Sequence, residues 1–107
     1  MDRVVRDGFV RVERAVAIEV VNACTSLLWQ QIDAEPDDPR TWTRPVYWVG
    51  GMAQPPFAKA ATAPVLLDAL DSLVGPGRRQ PRGDLGPFPL RFPDVEEPDD
   101  AGWHIEG

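Results

Sequence analysis

The residues best suited to chemistry lie in the last six positions, Gly102-Trp103-His104-Ile105-Glu106-Gly107. Side chains repeat on one face of a strand every second residue, so a strand here places His104 and Glu106 on the same face. An imidazole and a carboxylate held together are two of the three ligands of the 2-His-1-carboxylate site that binds non-haem Fe(II). Since His104 is the one histidine of the sequence, the second histidine of such a site is missing.

The composition indicates a small, acidic, globular domain. The chain has 107 residues, of which 43% are hydrophobic and 26% are charged, which is typical of a folded domain rather than a disordered one. Its 17 acidic residues exceed its 11 basic ones, for a net charge of -6. This balance disfavours binding to the phosphate backbone of a nucleic acid.

Neither a membrane span nor a secretory signal is predicted. No run of 18 apolar residues occurs, and the first seven residues lack the apolar stretch of a signal peptide. The single cysteine, Cys24, cannot form an intramolecular disulfide and fits a reducing compartment. We therefore expect a cytoplasmic protein that binds neither nucleic acid nor membranes.

Hydrophobic periodicity predicts that the N-terminal third of the chain is helical. A helix is expected over residues 15–34, where neither glycine nor proline occurs, and Pro36 ends it. One face of this helix carries Val16, Val20, Cys24, Leu27, Leu28 and Gln31. That face is expected to be core, with Cys24 a small buried hydrophobe rather than a reactive thiol. Before the helix, residues 9–12 suit a short strand after a turn.

The rest of the chain reads as strands and one further helix, separated by turns. An aromatic and β-branched run predicts a strand over Val46–Val49. A second helix is expected between a cap at Thr62 and an end at Gly75. Residues 88–93 read as an edge strand because their prolines remove hydrogen-bond donors, and Arg91 opposes its apolar face. An acidic turn then leads to a final strand.

Two loops and a set of aromatic residues leave alternatives open. Residues 35–40 are expected to be a solvated loop. The basic, glycine-rich residues 75–83 are either an anion-binding loop or a plain solvated connection, and no Lys-Ser/Thr step follows that would make a P-loop. The aromatic candidates for core or pocket lining are Trp42, Tyr47, Trp48 and Trp103.

Residues 66–77, 83–93 and 99–106 resemble the phytanoyl-CoA dioxygenase family of Fe(II)/2-oxoglutarate oxygenases, in particular its bacterial members. The predicted N-terminal strand and helix of the chain also resemble the N-terminal region of that family. The likeness is strongest in Trp103-His104-Ile105-Glu106, which follows the strand that contains Arg91. The family fold is a jelly roll preceded by helices. The resemblance therefore implies an α+β chain whose N-terminal helices pack on the first strands of an incomplete double-stranded β-helix, a cupin-like jelly roll.

The resemblance also implies a domain organisation and site residues. It implies one partial domain over residues 1–107, with a helical front and short strands in 1–75, and a loop and the first jelly-roll strands in 76–107. His104 and Glu106 match the proximal Fe(II) ligands, although the family usually has aspartate in place of Glu106. Arg91 is the candidate cofactor-binding residue for the co-substrate, 2-oxoglutarate. The distal histidine and the family's 2-oxoglutarate-binding arginine have no counterpart in these 107 residues.

Three hypotheses about function follow. In the first, the chain is the N-terminal part of a dioxygenase that hydroxylates a small organic or acyl substrate, and it is inactive as 107 residues alone. In the second, it is a non-catalytic truncated remnant or a small binding module. In the third, a second chain supplies the missing ligands and strands, since open strand edges favour self-association.

Overall fold

The computed structural model describes residues 2–94 and Gly102, and this part of the chain is α+β. The helices are α1 (Asp2–Asp7), α2 (Ile18–Gln30), α3 (Pro55–Ala61) and α4 (Pro64–Val74), and a 3-10 helix spans Pro39–Thr41. The strands are β1 (Val46–Val49) and β2 (Phe88–Arg91). No helix in the described residues is long and apolar enough to cross a bilayer.

The two strands form an antiparallel sheet. Its register pairs Val46 with Arg91 and Val49 with Phe88. Because side chains alternate along a strand, each face of the sheet carries four of them. The inner face carries Tyr47, Val49, Phe88 and Leu90; the outer face carries Val46, Trp48, Pro89 and Arg91. Tyr47 and Val49 are buried, whereas the outer-face residue Trp48 is 64% exposed. In the described part of the chain, the helices therefore cover the inner face of the sheet and leave the outer face exposed.

The core joins the inner face of the sheet to α2 and α3. Phe57 of α3 is fully buried, at 0% exposure, and its ring meets the Phe88 ring edge to face with centroids 5.6 Å apart. The other buried members of this cluster are Cys24, Val49, Met52 and Ala60. An edge-to-face pair contributes about 0.5–1.5 kcal/mol beyond the burial of its rings. Phe57 thus connects the helical layer to the strand layer.

The helix predicted over residues 15–34 is confirmed as α2, at Ile18–Gln30. Leu27 and Leu28 pack against the core as the periodicity predicts. Cys24 is buried, which confirms its interpretation as a small core residue. Burial raises the pKa of its thiol, so Cys24 is protonated at neutral pH.

The strand predicted over residues 9–12 is wrong. These residues belong to no strand, and they follow helix α1, which the sequence analysis did not predict. Phe9 is 69% exposed, and Val10 and Val12 are also exposed. A strand needs a neighbour that supplies hydrogen bonds, and β1 and β2 pair with each other instead. β-propensity alone was therefore misleading here.

The second predicted helix is confirmed as α4, with one error at its start. Gly75 ends it in the left-handed region, at φ 95°. The residue before the first turn is Ala63, however, and the Thr62 hydroxyl donates to the Ala58 carbonyl at 2.7 Å. Thr62 therefore closes the preceding helix, α3, rather than capping α4. The sequence analysis made no prediction for α3, although proline, here Pro55, is well suited to the first position of a helix.

Residues 35–42 form a hydrogen-bonded turn rather than a merely solvated loop. The Trp42 indole N–H donates to the Glu35 carbonyl at 2.8 Å, and the Thr41 hydroxyl donates to the Asp38 carbonyl at 2.7 Å. The Arg40 guanidinium donates to the Asp38 carboxylate at 2.9 Å. This hydrogen bond, together with one from the Arg40 backbone N–H, holds the pKa of Asp38 below its usual value. The charges of this segment thus help to define its conformation.

Replacing Phe57 by alanine tests the link between the layers. We expect Phe57→Ala to lower the free energy of unfolding by about 3–5 kcal/mol, because it removes the buried ring and its contact with Phe88. Urea unfolding followed by far-UV circular dichroism measures this loss. Phe9→Ala makes the same chemical change at an exposed position and should cost no more than about 0.5 kcal/mol. Equal losses in the two variants would contradict the described core.

The reactivity of Cys24 tests its burial. We expect a thiol reagent such as DTNB to react with Cys24 at least about 100-fold more slowly in the folded chain than in urea, because the thiol is buried and protonated. The control is the double variant Cys24→Ala/Ser26→Cys, whose thiol lies on the exposed side of the same helix. Its rate should change little on unfolding. A folded chain in which Cys24 reacts as fast as this control would refute the burial.

Candidate functional site

The predicted metal ligands, His104 and Glu106, lie outside the described residues, as do Trp103 and the final strand predicted there. Their geometry stays a prediction. Within residues 2–94 and Gly102, no three His, Cys, Asp or Glu side chains lie close enough to hold a metal ion.

Arg91, the predicted cofactor-binding residue, is described. It ends β2 on the outer face and pairs across the sheet with Val46. Half-buried and exposed residues alternate from Phe88 to Arg91, which confirms that Arg91 opposes the apolar side chains of its strand. Its role in binding a co-substrate stays a prediction.

A groove of about 300 Å³ lies between α2 and β2, and we call it the α2–β2 groove. It is lined by Thr25, Leu28, Trp29, Ile32, Leu90, Arg91 and Phe92. Among the described residues, Thr25 and the Trp29 indole are the hydrogen-bonding side chains of its walls, whereas Arg91 borders the groove from a strand position whose side chain belongs to the outer face of the sheet. This volume is at the lower end for small-molecule sites, which are mostly apolar with a few polar groups. The groove suits a small, largely apolar molecule.

Phe92 connects the α2–β2 groove to the turn that precedes β1. Its ring centroid lies 5.6 Å from that of Trp29, 5.2 Å from that of Trp42 and 5.2 Å from that of Tyr47. Two of these pairs are edge to face, the arrangement that the ring quadrupoles favour. Phe92 therefore holds one wall of the groove against three other aromatic residues.

Tyr47 fixes the other side of this cluster. Its hydroxyl accepts a hydrogen bond from the Thr43 backbone N–H at 3.3 Å. The Arg44 guanidinium lies 5.5 Å from the centre of the Tyr47 ring, within the range of a cation–π contact. Tyr47 is buried, so it is a core residue, as one of the two interpretations of the aromatic residues predicted. Trp42 is half-buried and packs on Phe92. Trp48, in contrast, lies on the outer face of the sheet.

The basic loop that follows α4 carries arginines with acidic partners. The Arg79 guanidinium donates to the Asp71 carboxylate at 2.8 Å, and each side chain is about 30% exposed. The Arg82 guanidinium lies 3.6 Å from the Asp84 carboxylate. These two pairs offset much of the local positive charge. The described geometry therefore favours the plain connection over the anion-binding loop.

The sequence analysis missed the α2–β2 groove and the cluster around Phe92. A signal was present, because Thr25, Leu28, Trp29 and Ile32 recur at helical spacing beside the predicted core face of α2. The residues on β2 are about 60 positions away in the sequence, and no periodicity links them to α2. Only the packing of the helix on the sheet brings the two sets together.

Comparisons of this chain with protein-family models, with curated proteins and with solved structures find no significant match. The site is therefore interpreted from its own residues.

The three ring contacts of Phe92 lead to a prediction. We expect Phe92→Leu to lower the free energy of unfolding by about 2 kcal/mol, because it keeps an apolar side chain but removes contacts worth about 0.5–1.5 kcal/mol each. Phe88→Leu is the matched control, since Phe88 contacts one described ring, Phe57, and it should cost about 1 kcal/mol. Urea unfolding and near-UV circular dichroism measure both. A larger loss in Phe88→Leu would contradict the proposed anchoring by Phe92.

Proposed function

We propose that this chain is the N-terminal part of an Fe(II)/2-oxoglutarate-dependent hydroxylase that resembles the phytanoyl-CoA dioxygenase family. In this proposal β1 and β2 are the first strands of a double-stranded β-helix. The observation that carries the proposal is the motif Trp103-His104-Ile105-Glu106, which follows an antiparallel pair of strands covered by helices on one face.

The order and packing of the described elements support this proposal. Helices come first, β1 and β2 pair across two intervening helices, and β2 has the alternating burial of a strand with one covered face. A jelly roll is built from two packed sheets with strands of this kind. The outer face of the β1–β2 sheet, which carries Trp48 and Arg91, is the face on which the second sheet of the roll would pack.

The donor set of the terminal pair fits Fe(II). A neutral imidazole and an ionised carboxylate provide the nitrogen and oxygen ligation of the 2-His-1-carboxylate site. His104 and Glu106 would hold the metal, and the third protein ligand would come from residues beyond this sequence or from a second chain. When bound, Fe(II) with 2-oxoglutarate and O2 supplies the oxidising chemistry of hydroxylation.

The α2–β2 groove and Arg91 supply separate roles in this proposal. The apolar walls of the groove, Leu28, Ile32 and Leu90, would exclude water from an organic ligand, and the Trp29 indole can orient such a ligand by stacking. Arg91 lies on the outer face of the sheet, and it would pair there with a carboxylate of the co-substrate, 2-oxoglutarate.

A second candidate function is supported by the same groove. An apolar groove of about 300 Å³ is also what a small non-catalytic binding module would use. In that case the apolar walls bind the ligand, and the terminal pair has no metal. The two functions differ in whether metal affinity depends on His104 and Glu106.

Metal titration separates the two functions. We expect the 107-residue chain to bind Fe(II) weakly under anaerobic conditions, and His104→Ala and Glu106→Gln each to weaken binding by at least about tenfold. Isothermal calorimetry measures the affinity, and Co(II) in place of Fe(II) should shift the proton resonances of the His104 imidazole. Formation of succinate from 2-oxoglutarate by this chain alone should be negligible.

The matched control is Glu13→Gln, which removes an exposed carboxylate far from the motif in sequence. It should leave the metal affinity unchanged. Metal binding that is equally strong in His104→Ala, Glu106→Gln and the unmodified chain would refute the iron site. Binding of decanoate that quenches tryptophan fluorescence would then favour the binding module.

A further inference from the structure

The backbone of the sheet has two different outer edges. The Phe92 N–H donates to the Pro45 carbonyl at 2.9 Å, which continues the β1–β2 ladder by one pair. Hydrogen-bonded and non-hydrogen-bonded pairs alternate along an antiparallel ladder. The backbone N–H and C=O groups of Tyr47 and Val49 therefore face β2, whereas the backbone groups of Val46 and Trp48 point away from β2.

The outer edge of β2 is protected against a further strand. Pro89 is one of its outward-facing residues, and proline has no N–H to donate. The other residue of β2 whose backbone groups face outward is Arg91, which adds a charged side chain to this edge strand. Proline and charge are two of the devices by which proteins block pairing at sheet edges.

The outer edge of β1 has neither device. Val46 to Val49 contain no charged residue and no proline. Among the described residues, no hydrogen bond joins the outward backbone groups of Val46 or Trp48 to another residue. Trp48 is 64% exposed and Val46 is half-buried, so an apolar pair accompanies the unpaired backbone. An edge of this kind is a template for strand addition.

We propose that the outer edge of β1 pairs with β1 of a second copy of this chain, which gives a symmetric dimer with a four-stranded sheet. The pairing is antiparallel and centred on Tyr47, so that Val46 of each copy lies opposite Trp48 of the other. These residues are the ones whose backbone groups point outward, and they would exchange about four hydrogen bonds. Val46 would also pack on the indole of Trp48 from the second copy, as cross-strand neighbours do.

The charges and the edges favour a second copy as the occupant. In this register Arg44 of one copy lies opposite Gly50 of the other, so no like charges meet. The four-stranded sheet has β2 at both ends, and both new outer edges carry Pro89 and Arg91. Addition therefore stops at two copies, as expected for a contact that a twofold axis closes. The inference is independent of the metal site.

Analytical ultracentrifugation of the 107-residue chain tests the dimer. We expect a concentration-dependent dimer, and we expect Trp48→Glu to raise its Kd by at least about 30-fold, the factor that corresponds to the loss of an interface hot spot. Ile18→Glu is the matched control, since Ile18 is 63% exposed and lies at the start of α2. It should leave the Kd unchanged.

Two further measurements keep the test decisive if Trp48→Glu unfolds the chain. Amide hydrogen exchange at Val46 and Trp48 should slow as the concentration of the unmodified chain rises. An isotope-filtered NOE in a mixed sample should join Val46 methyl groups of one copy to the Trp48 indole of the other. A monomer at all concentrations would overturn the proposal. So would a dimer whose Val46 and Trp48 amides exchange at a rate independent of concentration.

Discussion

The edge-to-face contact between Phe57 and Phe88 is the interaction on which the other described features depend. A two-stranded sheet is marginally stable alone in water and needs a packed face. Phe57 provides that packing from α3, while α2 covers the neighbouring part of the inner face. A chain of this size buries a limited share of its surface, so it has little redundancy in its core. The α2–β2 groove and the open edge of β1 both exist only while this contact holds the sheet against the helices.

Much of the fold could be predicted because each of its elements has a characteristic pattern of residues within its own stretch of sequence. The apolar spacing in α2 and α4, the β-branched and aromatic run of β1, and the alternation along β2 each identify an element without knowledge of the others. The strand predicted at residues 9–12 failed because a strand also requires a partner, and the sequence does not state which segments pair. Helix α3 was missed because two consecutive prolines signal a turn in one context and the start of a helix in another.

The candidate site was predictable only where its residues are neighbours in the sequence. The spacing of His104 and Glu106 suggests a shared face and a metal, whereas the α2–β2 groove combines Trp29 with Phe92 across about 60 residues. The two features differ in kind, since one is a predicted pair of metal ligands and the other is a mostly apolar groove. In β1, likewise, the lack of charged residues can be read from the sequence. Which of its two edges has no partner among the described residues cannot be read from it.

The register of the sheet also has a consequence for the order of folding. β1 and β2 are separated by about 40 residues, so their pairing closes a long loop and carries the entropic cost of that closure. On the ribosome, β1 emerges well before β2 is synthesised, and its apolar strand then has no partner in the chain. The neutral outer edge of β1, which has no partner among the described residues, is therefore accompanied during synthesis by a second unprotected edge. Nascent chains on one messenger expose β1 to each other during this interval, when both of its edges are available.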